Sequence, residues 1–378
     1  MTQNLDLNLP DIPFDSNLVE LIMRLEVLRN CVVQLEIDYR LFVQIQAILH
    51  MIESLHSARI EGNRTTISDY ISSKFDMPTK TDSIKEINNI EKAINYVNEC
   101  FNSDKNFKIS TWFLKELHSI TTKDLKNEGS KESGKFRTCN VRIKNALHTP
   151  PESYLVSQYV DQLVDWINEE GKIQNQLLKI AIAHHAFTWI HPFDNGNGRM
   201  SRVLTYAMLK QYGFDMASLL NSTAIFCIDR NKYFDMLQKA DENTNEAKQM
   251  WCEYVLTGLY NEMLKVSKLM QEEFFIEKIA KPAIKRSYDM HFISEDYKKI
   301  LELSLTQGVI KSKDIQKLFG EEKTTRQITD LIAKMLELNL IEKTDINSRM
   351  YIINLLSRDL ARGFVESLHK EHFIEIDE

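Results

Sequence analysis

The chain is organised around the stretch W-I-H-P-F-D-N-G-N-G-R-M-S-R, which runs from Trp189 to Arg202. It holds one imidazole, two side-chain amides, two glycines and two guanidinium groups between apolar helical patterns. Apolar residues recur at three- and four-residue spacing before it, which predicts a helix with one buried face. Pro192 should end that helix, and a second apolar pattern from Val203 should run to Gly213. The stretch is therefore predicted to form helix, loop and helix, with the polar chemistry in the middle.

The side chains of this loop suit an oligophosphate ligand. Gly196 and Gly198 allow the backbone to approach a ligand closely, and the next helix would point free N–H groups and its positive dipole end at an anion. Arg199 and Arg202 lie three apart on one helical face, and each can donate two hydrogen bonds to a phosphate. His191 can accept a proton from an incoming hydroxyl, because imidazoles titrate near neutral pH. Together these residues predict phosphoryl or nucleotidyl transfer.

Residues 191–202 closely resemble the signature of Fic-domain proteins, whose members typically transfer AMP from ATP to a protein hydroxyl. The resemblance implies that His191 is the base acting on the target side chain. The residues that it implies for nucleotide binding are Gly196, Asn197 and Gly198 for the α- and β-phosphates, Arg199 for the β-phosphate and Arg202 for the γ-phosphate. The alternative is an incidental Gly/Asn turn between two core helices, which the number of matching positions disfavours.

One position of the signature departs from the family. Where relatives usually carry Asp or Glu to hold Mg²⁺, this chain has Asn195. Its carbonyl oxygen can coordinate a cation but attracts it less than a carboxylate does. The resemblance therefore implies ATP as substrate and Mg²⁺ as cofactor, with Asn195 as the expected metal ligand and a weaker metal affinity.

A second motif, H-S-A-R-I-E-G-N, ends a predicted helix at residues 56–63. Gly62 is a good helix terminator, and Ser57 and Glu61 lie four apart on one face. In isolation the pattern also fits a solvated helix end. Beside the signature it resembles the inhibitory motif of the same family, a Ser or Thr followed four residues later by Glu and then Gly or Asn. The resemblance implies that Glu61 pairs with Arg202 and blocks the γ-phosphate, as in N-terminally autoinhibited members.

Two further segments are candidates for substrate binding. Residues 134–144 alternate apolar and polar side chains, which predicts an edge hairpin and resembles the family's flap, whose strand edge pairs with the target segment. The candidate docking residues there are Val141, Arg142, Ile143 and Lys144. Residues 229–237 resemble the segment bordering the adenine pocket, with Tyr233 and Leu237 as contributors. For Tyr233 an ordinary core position is an equal alternative, and His118 is expected to be a packed structural histidine.

Composition limits the class of protein. A chain of 378 residues should form two or three domains, and 11 Gly with 7 Pro favours long helices over a many-turned β protein. No apolar run reaches membrane-spanning length, and the N-terminus lacks the features of a signal peptide. The five cysteines form no C-x-x-C pair, which is typical of reduced thiols, so a cytoplasmic location is expected. The net charge of −7 argues against nonspecific polyanion binding.

The C-terminal part predicts a separate domain. Helical patterns broken at Gly308 and Gly320 precede two short strands around a polar turn, and this arrangement resembles a winged-helix domain with residues 324–338 as candidate recognition helix. Between Lys311 and Arg349 eight basic residues stand against seven acidic ones, so DNA binding has weak support. A dimerisation or protein-docking module is the alternative.

These expectations combine into one architecture. The fold is expected to be mainly α, a Fic-fold helical core with a small β-hairpin flap plus a C-terminal winged-helix (α+β) domain. The expected regions are an N-terminal helical region with the inhibitory motif (1–80), a Fic catalytic domain (81–277), and a winged-helix-like domain with a C-terminal helix (278–378). The expected partners are a protein target with a Ser, Thr or Tyr hydroxyl, which could be the chain itself, and a second copy of the chain as a homodimer. No membrane partner is expected.

The expected activity is autoinhibited transfer of AMP from ATP to that hydroxyl. Two alternatives remain open from the sequence. One is the reverse reaction, in which AMP is removed from a modified protein and Glu61 positions water. The other is a non-catalytic transcriptional or scaffold protein in which the Fic domain senses a nucleotide.

Overall fold

The protein is mainly helical, as the sequence predicts. The computed structural model describes residues 4–30, 38–75, 81–144, 146–172, 175–345 and 348–374. The helices, in chain order, are α1 (Asn17–Asn30), α2 (Tyr39–Ile60), α3 (Ile67–Phe75), α4 (Asp82–Ser103), α5 (Thr111–Thr121), α6 (Val156–Asn168), α7 (Asn175–Ile190), α8 (Asn197–Gln211), α9 (Ala224–Cys227), α10 (Arg230–Ala240), α11 (Asn245–Leu269), α12 (Glu272–Phe274), α13 (Lys281–Asp289), α14 (Glu295–Gln307), α15 (Ser312–Phe319), α16 (Thr325–Glu337) and α17 (Arg358–Lys370). None of these described helices is long and apolar enough to cross a membrane.

The chain divides into two compact units by its internal contacts. Unit 1 comprises Met1–Val32, His50–Thr65 and Thr79–Leu264, and unit 2 comprises Val33–Leu49, Thr66–Pro78 and Lys265–Glu378. Each unit is thus assembled from segments that are distant in sequence. The division into 1–80, 81–277 and 278–378 stays a prediction.

Helix α7 is the centre of unit 1. It is buried along almost its whole length, including the polar side chains of Lys179 and His184. It packs against α6 and α8, and α8 packs in turn against α4 and α5. The indole N–H of Trp251, on α11, donates to the carbonyl of Ala181 at 2.7 Å. The loop that joins α7 to α8 therefore rests on two tightly packed helices.

Unit 2 combines helices with a small sheet. The strands β1 (Ile310–Lys311), β2 (Ile341–Lys343) and β3 (Met350–Ile353) pair antiparallel in the order β1-β3-β2. They are interleaved with α14, α15 and α16 in the order that the winged-helix prediction requires, and that assignment stays a prediction. Helix α17 packs closely on α13, where a Cβ at Gly363 would lie 2.6 Å from the carbonyl oxygen of Ala283.

The prediction of a β-hairpin at residues 134–144 was wrong. All of these residues are described, and they form turns, bends and extended chain without a strand. The main-chain N–H of Arg137 donates instead to the carbonyl of Pro192 at 2.9 Å. Residues 141–144 keep the alternation of half-buried and exposed side chains that suggested a strand. A strand needs a paired neighbour as well as alternation, and no described segment pairs with this one.

Candidate active site

The loop between α7 and α8 turns sharply at two positions. Helix α7 ends at Ile190, one residue later His191 adopts φ 49°, and its N–H donates to the carbonyl of Phe187 at 3.1 Å. A left-handed conformation is uncommon for a residue with a side chain and costs free energy that the surroundings must offset. Gly196 adopts φ 79° immediately before α8 begins at Asn197. The two turns place the imidazole and the N-terminus of α8 at opposite ends of one short loop.

Asn197 closes this loop through its side chain. Its Oδ1 accepts the N–H of Phe193 at 2.9 Å, and its Nδ2 donates to the carbonyl of the same residue at 2.9 Å. The side chain is buried. Asn197 can therefore offer a ligand only its main-chain N–H, together with those of Gly198 and Arg199 in the first turn of α8.

The two signature arginines are both buried, although each carries a full charge. Arg199 is 1% exposed and Arg202 is 2% exposed. Among the described residues, Nε and Nη1 of Arg199 and Nη1 of Arg202 have no hydrogen-bond partner. Buried donors are nearly always satisfied in folded proteins, so three such atoms beside a helix N-terminus indicate a site that a polar ligand completes.

Two residues of the 56–63 motif contact Arg202. Oε1 of Glu61 lies 2.7 Å from Nη2 of Arg202, while Oγ and the carbonyl of Ser57 accept from the same guanidinium at 2.9 and 3.0 Å. A Cβ at Gly198 would lie only 2.3 Å from Oε1 of Glu61, so the carboxylate covers the first turn of α8. Glu61 thus binds the guanidinium that the Fic resemblance assigns to the γ-phosphate.

The end of α2 fixes the geometry of Glu61. Gly62 adopts φ 100°, and Nε of Arg230 donates to the carbonyl of Ile60 at 2.6 Å. Burial by itself would raise the pKa of the Glu61 carboxyl, but Arg202 and Arg199 outweigh it and hold the pKa below its usual value. Glu61 is therefore a carboxylate at neutral pH.

Arg199 has acidic partners that the sequence did not predict. Its Nη1 lies 3.1 Å from Oε1 of Glu86, and its Nη2 donates to the carbonyl of Glu128 at 2.6 Å. Burial raises the pKa of the Glu86 carboxyl. The other oxygen of Glu86 accepts from Nδ2 of Asn63 at 2.9 Å, directly after the inhibitory motif. A glutamate on the buried face of α4, between Ile84 and Ile87, was the one sequence signal for this contact.

Asn195, the expected metal ligand, faces a neighbouring loop. Its Oδ1 accepts the N–H of Gly196 at 2.7 Å, and its Nδ2 donates to the carbonyl of Gly129 at 3.1 Å. The carboxylate of Asp194 accepts from Ser130 and from the N–H of Lys131. No group of three His, Cys, Asp or Glu side chains among the described residues is arranged to hold a metal ion. In this arrangement the side chains of Asn195 and Asp194 are both hydrogen-bonded to the loop that contains Gly129 and Ser130.

Two histidines flank the loop in neutral form. Burial lowers the pKa of His191 to about 4, with Arg137 and His148 acting in the same direction. Burial likewise lowers the pKa of His118 to about 4. The His118 ring stacks on Phe193, donates from Nε2 to the carbonyl of Asn195 at 3.0 Å and accepts the N–H of Gly134 at 2.9 Å. His118 is packed, as expected, and it also joins the signature loop to the segment that follows Gly134.

The structure favours the core alternative for Tyr233. The side chain is 1% exposed and lies among Phe226 and Trp251. Its hydroxyl lies 2.9 Å from Nε2 of His184 in the centre of unit 1. Leu237, one turn later on α10, is half-buried. Of these two residues, Leu237 is the one with surface available to a ligand.

The expected docking residues lie on an open stretch of chain. Val141 and Ile143 are half-buried, whereas Arg142 and Lys144 are exposed. Among the described residues, the main chains of Val141 and Arg142 form no hydrogen bond with another main-chain group. Their N–H and C=O groups are therefore available to a second strand.

Fold and site together define a helical domain in which a helix N-terminus with two buried arginines lies across a short loop from a buried neutral imidazole. Residues 108–209 match the Fic/DOC family. The matched residues lie within unit 1.

Comparison with known proteins gives similar relatives. The chain is 29% identical over 192 residues to protein adenylyltransferase Fic of Culex quinquefasciatus, covering 50% of this chain and 36% of that protein. It is 31% identical over 166 residues to protein adenylyltransferase fic-1 of Caenorhabditis briggsae, covering 42% and 31%. The chain thus spans about a third of the length of these curated relatives.

A solved structure shares the fold over most of the chain. The crystal structure of a Fic family protein from Desulfovibrio desulfuricans G20 aligns with 92% of this chain and 98% of its own, at a TM-score of 0.56 and 18% identity. At that identity the likeness concerns the fold alone.

Proposed function

We propose that this protein is an adenylyltransferase that moves AMP from ATP to a Ser, Thr or Tyr hydroxyl of a protein, and that Glu61 inhibits it by holding Arg202. The observation that carries the proposal is the pair of buried arginines with unpartnered donors at the N-terminus of α8, across the loop from His191. A triphosphate would supply hydrogen-bond acceptors for these donors and further negative charge beside the two guanidinium groups. The names of the relatives agree with this activity.

In the proposed reaction the acceptor oxygen attacks the α-phosphorus of ATP. The bond between that phosphorus and the oxygen bridging to the β-phosphate breaks, and pyrophosphate leaves with the electron pair. His191 takes the proton of the attacking hydroxyl, for which an imidazole that is unprotonated at neutral pH is required. Arg199, Arg202 and the N–H groups of α8 bind the phosphates, and no step is assigned to a metal held by the chain.

The contacts of Glu61 support autoinhibition. A hydrogen bond between charged groups in such partly buried surroundings contributes about 1.5–3 kcal/mol. If productive ATP binding has to break this bond, affinity falls roughly tenfold to a hundredfold. Because 30% of the Glu61 side chain is exposed and Gly62 follows it, the carboxylate can leave without disrupting the core. Glu86 has no such freedom, since it is 3% exposed within α4.

Two alternatives use the same residues. Removal of AMP from a modified protein would use Glu61 to position water, and a nucleotide sensor would use the arginines without any transfer. Labelled ATP with a candidate target distinguishes transfer from sensing, and a pre-modified target tests the reverse reaction. Capture of labelled products from a lysate with the Glu61→Gly form would identify the acceptor.

His191→Ala tests the proposed base. Transfer should fall by at least about a hundredfold, because removing a general base costs about two to four powers of ten, whereas ADP affinity should change less than about threefold. Calorimetry and labelled-ATP transfer measure the two quantities. His185→Ala, a neighbouring α7 histidine bound to Asp241 at 2.9 Å, is the matched control and should stay within about threefold in both. Parallel losses of binding and transfer in His191→Ala would assign His191 a structural role instead.

A further inference from the structure

Arg137 binds the backbone on both sides of the candidate base. Its Nε donates to the carbonyl of His191 at 2.8 Å and its Nη2 to that of Ile190 at 3.4 Å. Its own N–H donates to the carbonyl of Pro192 at 2.9 Å. Three successive carbonyls at the end of α7 are thus held by one residue.

The same guanidinium also holds both ends of the segment that contains the docking residues. Nη1 of Arg137 donates to the carbonyl of Cys139 at 3.1 Å, and Nη2 donates to the carbonyl of Pro151 at 2.5 Å. The chain between these two carbonyls includes residues 141–144, the proposed docking edge. The base and the docking edge are therefore tied to one rigid planar group.

A structural explanation alone accounts poorly for this arrangement. Arg137 is 5% exposed, and burial lowers its pKa although the carboxylate of Glu152 acts in the opposite direction; no described carboxylate forms an ion pair with it. Burying an unpaired charge is costly even when carbonyls accept all of its hydrogen bonds. A helix end such as that of α7 is ordinarily closed by a glycine or asparagine at no such cost. The charge also lies where it acts on His191, since Arg137 is one of the groups that keep the imidazole unprotonated.

We propose that Arg137 is a positioning residue for the transfer reaction: its guanidinium holds the main chain of His191 and both ends of the 140–150 segment in one arrangement, so that the hydroxyl of a docked target meets the imidazole. This inference rests on the proposed function. It differs from it in assigning a role to a residue that contacts neither nucleotide nor target. Only arginine can bind in this way, because its fork donates in several in-plane directions, whereas lysine is a point charge.

The test compares Arg137→Met and Arg137→Lys in the Glu61→Gly background. Arg29→Met is the matched control, because Nη1 of Arg29 also donates to a main-chain carbonyl, that of Tyr212 at 3.1 Å, away from the loop. The measurements are labelled-ATP transfer, ADP affinity by calorimetry, thermal unfolding and an NMR titration of the His191 imidazole. Three charged or titratable groups act on that imidazole, of which Arg137 and His148 lower its pKa and Glu61 raises it.

Arg137→Met should lower transfer about a hundredfold, because a misplacement of about 1 Å is enough for such a loss, with ADP affinity within about twofold. The pKa of His191 should rise toward its usual value, since a positive charge has been removed. Arg137→Lys should keep the low pKa and recover only part of the transfer rate. In Arg137→Lys the pKa of His191 would thus be kept while the transfer rate is only partly recovered. A purely structural role of Arg137 would not separate these two quantities.

The proposal is overturned if Arg137→Met transfers within about threefold of its parent, or if transfer, ADP affinity and melting temperature all fall together as in a destabilised protein. If Arg137→Met does not fold, Arg137→Gln, which keeps two donors, takes its place under the same criteria. If the parent transfers no AMP, the proposed function fails. The role of Arg137 is then tested by the titration of His191 and by amide hydrogen exchange at residues 138–151. If both the pKa of His191 and the exchange rates are unchanged in Arg137→Met, the positioning role is rejected.

Discussion

At the scale of the residue, the site is decided by how buried charges are paired. Arg199 and Arg202 are both buried, and in this structure each meets a carboxylate, Glu86 or Glu61. The two carboxylates differ in freedom, because Glu61 follows the end of α2 while Glu86 lies within α4. Release of Glu61 would therefore free Arg202, while the contact of Glu86 with Arg199 stays in place.

Asn195 is the position where the sequence departs from the signature that it resembles, and its replacement is informative. Asn195→Asp should lower the Mg²⁺ concentration for half-maximal transfer, because a carboxylate adds a full charge beside the phosphates. In the unchanged protein Nδ2 of Asn195 donates to the carbonyl of Gly129, and the substitution places an oxygen there instead. The loop that contains Gly129 loses this hydrogen bond, so its amide hydrogens should exchange faster.

Transfer at graded Mg²⁺ and hydrogen exchange at residues 126–131 measure the two effects separately. Asn127→Ala, an exposed neighbour in the same loop, should change neither. An unchanged metal dependence in Asn195→Asp would mean that phosphates and water hold the ion by themselves.

At the scale of the element, the end of α2 with Glu61 directly after it is the proposed inhibitory device. Glu61→Gly should raise the rate of AMP transfer roughly tenfold to a hundredfold by freeing Arg202. Glu61→Gln keeps the shape of the side chain and loses its charge, so its transfer rate should lie between those of the unchanged protein and Glu61→Gly. Labelled-ATP transfer and ADP affinity are the measurements. Equal activity of all three forms, with equal ADP affinity, would remove the inhibitory role from α2.

The pH dependence of this contact follows from the lowered pKa of Glu61. A depressed folded-state pKa means that the ion pair is fully formed above the usual carboxyl pKa and is lost only as pH falls through the lower value. Acidification from pH 8 to pH 6 should therefore not relieve inhibition. The same range leaves His191 unprotonated, since its pKa is about 4.

At the scale of the whole molecule, unit 2 contains the C-terminal segment whose sequence resembles a winged-helix domain. The outward side chains of α16 include Arg326 and Lys334 against Asp330 and Glu337, all exposed, so their charges cancel. A balanced surface should bind DNA only weakly at physiological salt. The alternative of a dimerisation or protein-docking module stays a prediction.

Removal of residues from about Ser294 is predicted to leave AMP transfer nearly intact and to change oligomeric state or target choice. Deletion would also remove packing partners of residues that remain, because α17 packs on α3 and α13 and the side chain of Gln44 hydrogen-bonds to the main chain of Ile353 and Leu355. Substitutions on the surface of α16 therefore give a cleaner test than deletion. Arg326→Glu with Lys334→Glu should therefore keep transfer within about twofold.

Light scattering and gel-shift titrations at low and moderate salt accompany that measurement. The full chain should show no salt-resistant, sequence-selective DNA binding. Such binding, abolished in the double variant, would instead assign unit 2 to DNA recognition.

The local features of this protein follow from the sequence by itself. Pro192 and the two signature glycines end one helix and begin the next, and the four-residue spacing of Ser57 and Glu61 puts both on one face. These are properties of a few neighbouring residues, so spacing and conformational preference suffice to predict them. The mainly α fold follows in the same way from apolar periodicity.

Tertiary structure alone decided which distant groups meet. Glu86 and Glu128 reach Arg199 from α4 and from the loop after α5, and Arg137 reaches the carbonyls of α7. The predicted hairpin failed for the same reason, because alternation describes one chain while a strand depends on a partner elsewhere. Pairing of buried charges and of strands is a long-range choice made by packing, and a local pattern carries no information about it.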